Sequence, residues 1–448
     1  MPRSGDGISR RKTLRRGGIV FGTSIIGLSS SSSTAVAEPT EIDECTTLSD
    51  GEYVLTEDIS ITGGCFSIDS YSDVTLDGDG YTISGDGTGI GIYVGSDTDA
   101  RIRNLTLENF ETGISTRNLD IDFEISLENI SVVNNNRGID GDRKQEISIK
   151  SSIISDNSTG ISGSEGCNIS INQSDLNRND NIAVAGGTAS WVELEDSSVR
   201  DNGSGISSGE GTFVDSIISD NDGYGIELIG LVASADLGDT TIVGNTIQNN
   251  AGTGINFLYS NGTVRENVIA NNNNGVIISY DQVYAFNSPN HEFIDNTIED
   301  NDEFGIQNTK NDLPSDVDTT AVATCNYWGD PTGPQHEDNP VEDPRGDKVS
   351  DDVEFVPWSV TDVVDNEATC IGGKTIGDFQ DPPTDPDGDG LYEDINGDGE
   401  SDIVDVQALF SNMDDDTIRN DPDAFDFNDD GSVDVIDVQK LFNEVSTN

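Results

Sequence analysis

The sequence predicts an all-β, right-handed parallel β-helix of about ten coils, each of roughly 24 residues, followed by a small α-helical domain built on two calcium-type loops. Three observations carry this. A short phrase recurs through most of the chain: an apolar pair, one or more Asn, a small turn, then Gly-Ile. Between its copies lie short stretches of alternating apolar and polar residues, such as Ile147-Ser148-Ile149, which is the period of a half-buried strand. Near the C-terminus a twelve-residue acidic loop occurs twice, each copy running into a matching apolar pattern of helical spacing.

The phrase is found as Ile130…Asn135…Gly138-Ile139, Ile153-Ile154…Asn157…Gly160-Ile161 and Val199…Asn202…Gly205-Ile206. It continues through Asn221…Gly225-Ile226, Asn250…Gly254-Ile255, Asn272…Gly275-Val276 and Asn301…Gly305-Ile306. Earlier copies are read at Gly89-Ile90 and Gly113-Ile114, and a degenerate one at Asn181-Ile182. Gly permits corners that other residues resist, and Asn both tolerates left-handed backbone and can bond its counterpart one coil away. The abundance of Gly, Asn and β-branched residues excludes helical repeats, and in-phase repetition argues against a β-sandwich. The β-helix is assigned to 38–365, a Pro/Gly/Asp linker to 366–384 and the calcium domain to 385–448.

The chain carries 85 Asp+Glu against 22 Lys+Arg, a formal charge of −63. Such self-repulsion is relieved in concentrated salt, where the screening length is about 3 Å at 1 M. The composition is therefore read as an adaptation to brine, which excludes nucleic acid as a partner and favours divalent cations. Residues 1–37 read as an export signal: Ser9-Arg10-Arg11-Lys12-Thr13-Leu14, an apolar stretch from Gly17 to Leu28, and cleavage between Ala37 and Glu38 after Ala35-Val36-Ala37. This resembles a twin-arginine signal and implies a secreted or cell-surface protein. No stretch is apolar for long enough to form a transmembrane segment. Disulfides are permitted outside the cell, and Cys45–Cys65 and Cys325–Cys370 are taken as staples at the two ends, leaving Cys167 over; sequence alone does not fix the connectivity.

Gly51-Glu52-Tyr53-Val54-Leu55 and Val74-Thr75-Leu76-Asp77-Gly78-Asp79-Gly80-Tyr81-Thr82-Ile83 resemble the opening of pectin-lyase-like β-helices, in particular the carbohydrate-binding and sugar-hydrolysing subset. Asn326-Tyr327-Trp328-Gly329-Asp330-Pro331-Thr332-Gly333-Pro334 and Phe355-Val356-Pro357-Trp358 resemble their closing segment, with Trp328 and Trp358 as cap core. The resemblance implies a polysaccharide or surface glycan as partner. Its copper-maturation branch needs soft ligands, for which the mature chain offers only Met413 and two His.

The first acidic loop offers Asp394, Asn396, Asp398, Glu400 (through its carbonyl), Asp402 and Asp405; the second offers Asp426, Asn428, Asp430, Ser432 (carbonyl), Asp434 and Asp437. Oxygen donors at positions 1, 3, 5, 7, 9 and 12, with Gly399 and Gly431 at position 6, suit Ca²⁺ as cofactor. Asp at position 12 and the duplication of loop plus helix resemble a dockerin within the wider EF-hand class. That implies a cohesin-like receptor, although positions 10 and 11 are apolar here (Ile403-Val404, Val435-Ile436) and could instead be core or meet an intramolecular partner. Asp385, Asp387, Asp389, Gly390 and Glu393 form a partial third loop, read either as a further site or as plain linker.

For chemistry on the β-helix, Arg143 and Lys144 with Asp140 and Asp142 are the catalytic candidates, beside Arg137, Lys150 and Glu146; the competing reading is a solvated turn. Asp77 and Asp79 are a carboxylate pair or a tight turn. His291 and His336 stand far apart in sequence and support neither a triad nor a metallohydrolase. Trp191, Tyr224, Tyr259, Tyr280 and Tyr284 are either a sugar-stacking face or packing. Of the sequons at Asn104, Asn129, Asn157, Asn168, Asn172, Asn202 and Asn261, those on ladder positions would be closed to glycosylation. The expectation is a carbohydrate-associated β-helix attached through calcium loops, against a polysaccharide lyase or glycoside hydrolase, or a structural envelope protein or adhesin.

Overall fold

The computed structural model describes residues 38–446, apart from Asp97, 117–123, Thr188, 231–238, 281–290, 311–318, 364–369, Gly372, Asp378, 380–381, 387–389 and Asp421. The export signal with Ala37, and Tyr284, Asp387 and Asp389, lie outside the described residues; Glu38 is the first within them.

Almost all strands fall into three parallel sheets of fourteen, twelve and eleven strands. The chain visits them in rotation, so that each strand pairs with its counterpart one coil away. Register follows the apolar column. In the longest sheet Leu76, Ile102, Leu127, Ile149, Ile171, Leu194 and Phe213 stack inward. In the eleven-stranded sheet Ile83, Leu107, Val132, Ile154, Leu176, Val199 and Ile218 do the same. All of these are buried. At about 1.5–3 kcal/mol for each fully buried side chain, these columns are what hold the coils together.

The Gly-Ile phrase fixes the twelve-stranded sheet: Ile114, Ile139, Ile161, Val184, Ile206, Ile226, Ile255, Val276 and Ile306 are successive partners. Two copies sit two residues from where the sequence places them. Ile114 pairs with Ile92, so Gly91-Ile92 is in phase rather than Gly89-Ile90. Ile161 pairs with Val184, so Ala183-Val184 replaces Asn181-Ile182. The inward period of two makes a shift of two residues invisible to pattern alone. Gly is needed in this column because a Cβ at Gly138 would lie 2.5 Å from the Gly160 carbonyl oxygen of the next coil.

Two polar ladders run through the later coils of the rod, from Asn135 and Ser152 onward. In the first, Asn135, Asn157, Asn179, Asn202, Asn221, Asn250, Asn272 and Asn301 each donate Nδ2–H to the Oδ1 of the next, at 2.8–3.1 Å. The last donates to Asp347 at 2.7 Å. The second begins with Ser152, Ser174, Ser197 and Ser216, whose hydroxyls accept from the backbone N–H one coil before, and passes into Asn245, Asn267, Asn296 and Asn326. The residue before each rung holds the left-handed corner, as at Asp156, Asp201, Asp196 and Asp295. The rung itself does not.

The rod closes on Trp328 and Trp358, both buried. Cys45 joins Cys65 near the start of the rod and Cys325 joins Cys370 near its end, with Cα–Cα distances of 4.6 and 5.0 Å. The segment read as a linker is packed, with Ile371 and Ile376 buried in the core that includes Trp358 and Leu409. The terminal module contains α1 (Ile403–Asn412), α2 (Asp416–Asn420) and α3 (Val435–Val445), with α1 against α3.

Candidate functional site

The outer face of the longest sheet carries a cleft of about 300 Å³ lined by Glu124, Glu146, Ser148, Asn168, Ser170, Trp191 and Glu193. Strand alternation puts these side chains outward while Ile147, Ile169 and Val192 face the core. Register stacks Glu124, Glu146, Asn168 and Trp191 in one column, and Ser126, Ser148, Ser170 and Glu193 in the next. Glu193 accepts from the Ser170 hydroxyl at 3.2 Å, and the Trp191 backbone N–H donates to Asn168 Oδ1 at 3.3 Å. Trp191 is 36% exposed. The arrangement offers an aromatic face beside hydroxyl, amide and carboxylate oxygens, the usual furniture of a polar ring-binding surface.

The charged turn at 140–146 does not form a comparable site. Arg137 lies 3.7 Å from Asp140, and Arg143 reaches Glu165 of the next coil at 3.5 Å, both on the surface. The Arg143 N–H donates to Asp142 Oδ1, the Asp142 N–H donates to Gln145, and Lys144 takes the left-handed position. Those are the bonds of a tight corner. Beneath it Cys167 is buried, and burial, with Asp142 and Asp140 nearby, pushes its thiol up to about 12, so it is no nucleophile. Asp77 likewise closes a turn. Burial would raise its pKa, but the Asp79 N–H, the Asn104 amide and Arg103 at 2.9 Å together hold it below the usual carboxylate value. His291 is buried among Phe257, Tyr280 and Phe293, neither ring nitrogen finding a hydrogen-bond partner among the described residues, and His336 lies by Asp338 and Asp351. Tyr280 is core, while among the described aromatics of that set Trp191 alone lines the cleft. Asn157 and Asn202 are buried ladder rungs, closed to glycosylation.

The two acidic loops share their principal bonds, although the Asn396 amide donates to Asp398 at 3.1 Å while that of Asn428 has no such bond among the described residues. Asp394 accepts from the N–H groups of Asp398 and Gly399, as Asp426 does from Asp430 and Gly431. Asp405 accepts from Asn396 and Asp402, as Asp437 does from Asn428 and Asp434. Gly399 and Gly431 share φ +85°. Asp402 and Asp434 cap α1 and α3, each in a capping box. Burial, then the neighbouring Asp394 and Asp398 charges, raises the Asp405 pKa; burial also raises that of Asp437. An all-oxygen donor set with its position 1 and 12 carboxylates buried and its own charges in repulsion could hold a hard divalent cation. In the third loop, Asp385 accepts from the Gly390 N–H at 2.8 Å, the same one-to-six bond. The apolar pairs at positions 10 and 11 are not core: Ile403, Val404, Val435 and Ile436 are all exposed, as are Phe410 and Phe442.

Comparison with known proteins places this architecture. The right handed beta helix region family matches residues 86–237 and 208–322, together just over half of the chain. The chain belongs to that family. The matched part amounts to about nine turns. Among solved structures, this β-helix is similar to the A-module of the mannuronan C-5 epimerase AlgE4 of Azotobacter vinelandii, at 16% identity and a TM-score of 0.36, covering 72% of this chain and 85% of that one. It is also similar to a mutant of the periplasmic alginate epimerase AlgG, at 13% identity and a TM-score of 0.35, covering 68% and 77%. The likeness is one of fold. No curated protein matches the chain.

Sequence reading of this β-helix protein did not find the cleft, because its residues come from strands about 22 residues apart and no single segment looks unusual. The signal was present only as the outward positions of consecutive coils, once the register is known.

Proposed function

We propose that this is an exported, cell-surface or secreted carbohydrate-associated β-helix protein that grips a glycan on its longest sheet and is attached through a calcium-loaded, dockerin-like module. The observation that carries the reading is Trp191, exposed beside the Ser148, Asn168 and Ser170 side chains in a cleft on the outer face. A binding role is favoured over a lyase role because no Lys or Arg among the described residues lines that cleft to act as base. The test incubates the full chain in high salt with Ca²⁺ and a panel of neutral and acidic polysaccharides, measuring both retention and new chain ends. Retention without cleavage supports the reading. New unsaturated ends would make the protein a lyase, new reducing ends alone a hydrolase, and no retention on any glycan would sink the proposal.

For the terminal module, Asp394, Asn396, Asp398, Asp402 and Asp405, with the Glu400 carbonyl, would hold one Ca²⁺, and Asp426, Asn428, Asp430, Asp434 and Asp437, with the Ser432 carbonyl, a second. The bound cation neutralises carboxylates that otherwise repel. The support is that both loops turn on the same four backbone bonds, two to the carboxylate at position 1 and two to that at position 12. Ile403, Val404 and Phe410 recur as Val435, Ile436 and Phe442, and these exposed apolar groups form the docking face for a cohesin-like receptor. Calorimetric titration of the full chain is expected to find two Ca²⁺ sites, with one lost in Asp437→Ala.

A further inference from the structure

We infer that the cleft on the longest sheet selects sugars carrying a free, protonated amine, a deepening that rests on the carbohydrate reading of that cleft. Among the described residues that line it, three are glutamates and none is basic. Glu124 and Glu146 are direct register partners on adjacent parallel strands, both exposed. Strands lie about 4.8 Å apart, so two like charges are stacked with no cation lining the cleft between them. Glu193 enters from the next column, fixed by the Ser170 hydroxyl. Trp191 continues the same column as Glu124 and Glu146, with Glu210 its partner on the next strand, and its exposed ring lies alongside.

An indole face bordered by carboxylates is the chemistry that recognises an ammonium group: the ring quadrupole and the glutamates attract the same charge. A uronate would meet repulsion from all three glutamates. A neutral or N-acetylated sugar would keep stacking and hydroxyl contacts but gain nothing from the charge. The occupant that uses every group in the cleft is a hexosamine with an unsubstituted amino group at intervals along a chain. The net ligand charge matters because the protein's overall field favours cations before contact.

The test measures binding of three oligosaccharide sets of equal length to the full chain: free hexosamine, N-acetylhexosamine and uronate, with and without Ca²⁺, at low and high NaCl. The expected result is a preference of roughly tenfold for the free amine over the N-acetyl form, the product of an exposed cation–π contact and partly screened ion pairs. That preference should shrink with added salt. Glu146→Gln combined with Glu193→Gln should bring the ratio of amine to N-acetyl affinity close to one, whereas Trp191→Ala should weaken binding of both forms. Equal binding of amine and N-acetyl forms overturns the inference and leaves the carbohydrate reading standing. Binding of uronates that requires Ca²⁺ overturns it in favour of a cation bridge. No binding of any set removes the carbohydrate reading with it.

Discussion

At the residue scale the ladders set the stakes. Asn202 Oδ1 accepts both the backbone N–H and the Nδ2–H of Asn179, at 3.0 and 2.9 Å. Asn202→Ala leaves two buried donors unanswered and is expected to cost about 2–4 kcal/mol, read as a lower urea midpoint. Two buried titratable groups pull stability in opposite directions. Asp347 is raised to about 6 by burial, against the bonds from Asn301 and with the Asp300 and Glu299 charges adding. Its protonated form is the one the fold prefers, so its contribution is full below about pH 4 and is lost as pH rises through 6. Asp347→Asn should therefore gain about 1–2 kcal/mol at pH 8 and little at pH 4. His291 is lowered to about 3 by burial, so the fold prefers it neutral. Its contribution is full above about pH 6.5 and is lost as pH falls towards 3; His291→Phe should flatten the midpoint over that window.

At the element scale the column of glycines is tightest where Gly205 faces the Gly225 carbonyl. Gly205→Ala should destabilise by roughly 1–3 kcal/mol in a denaturation series, although Ala183 shows that the column absorbs a methyl where the coils allow it. Much of this element was legible beforehand. Gly138-Ile139, Gly160-Ile161 and Gly254-Ile255 announce the register themselves, because a bare backbone beside a buried branched residue repeats at every coil. The serine half of the second ladder was not legible: Ser152, Ser174, Ser197 and Ser216 do the work of Asn with a residue that is common everywhere. The acidic loops stand out in the sequence because each lies within twelve consecutive residues and is closed by its own bonds, whereas the cleft exists only across coils.

At the scale of the whole molecule the charge of −63 is spread along a rod whose ion pairs are largely exposed, such as Arg101 with Asp73 and Arg178 with Asp156. Exposed pairs contribute about 0–1 kcal/mol each and do not offset general repulsion. If the surface is adapted to brine, the thermal midpoint should climb by many degrees between 0.1 and 2 M KCl, with most of the rise at the low end, where screening changes fastest. A midpoint that stays flat or falls across that series would remove the halophilic reading and leave the acidity to be explained by cation binding alone.

The amide ladder is a sentence with a direction. Every rung from Asn135 to Asn301 passes its hydrogen forward, and the last hands it to a carboxylate, which accepts and has none to pass on. Asp347 is thus punctuation: a further coil, from this chain or another, would find no donor waiting at that seat. A rod made of interchangeable turns has no intrinsic reason to stop, and a single oxygen in place of a nitrogen marks where the counting ends.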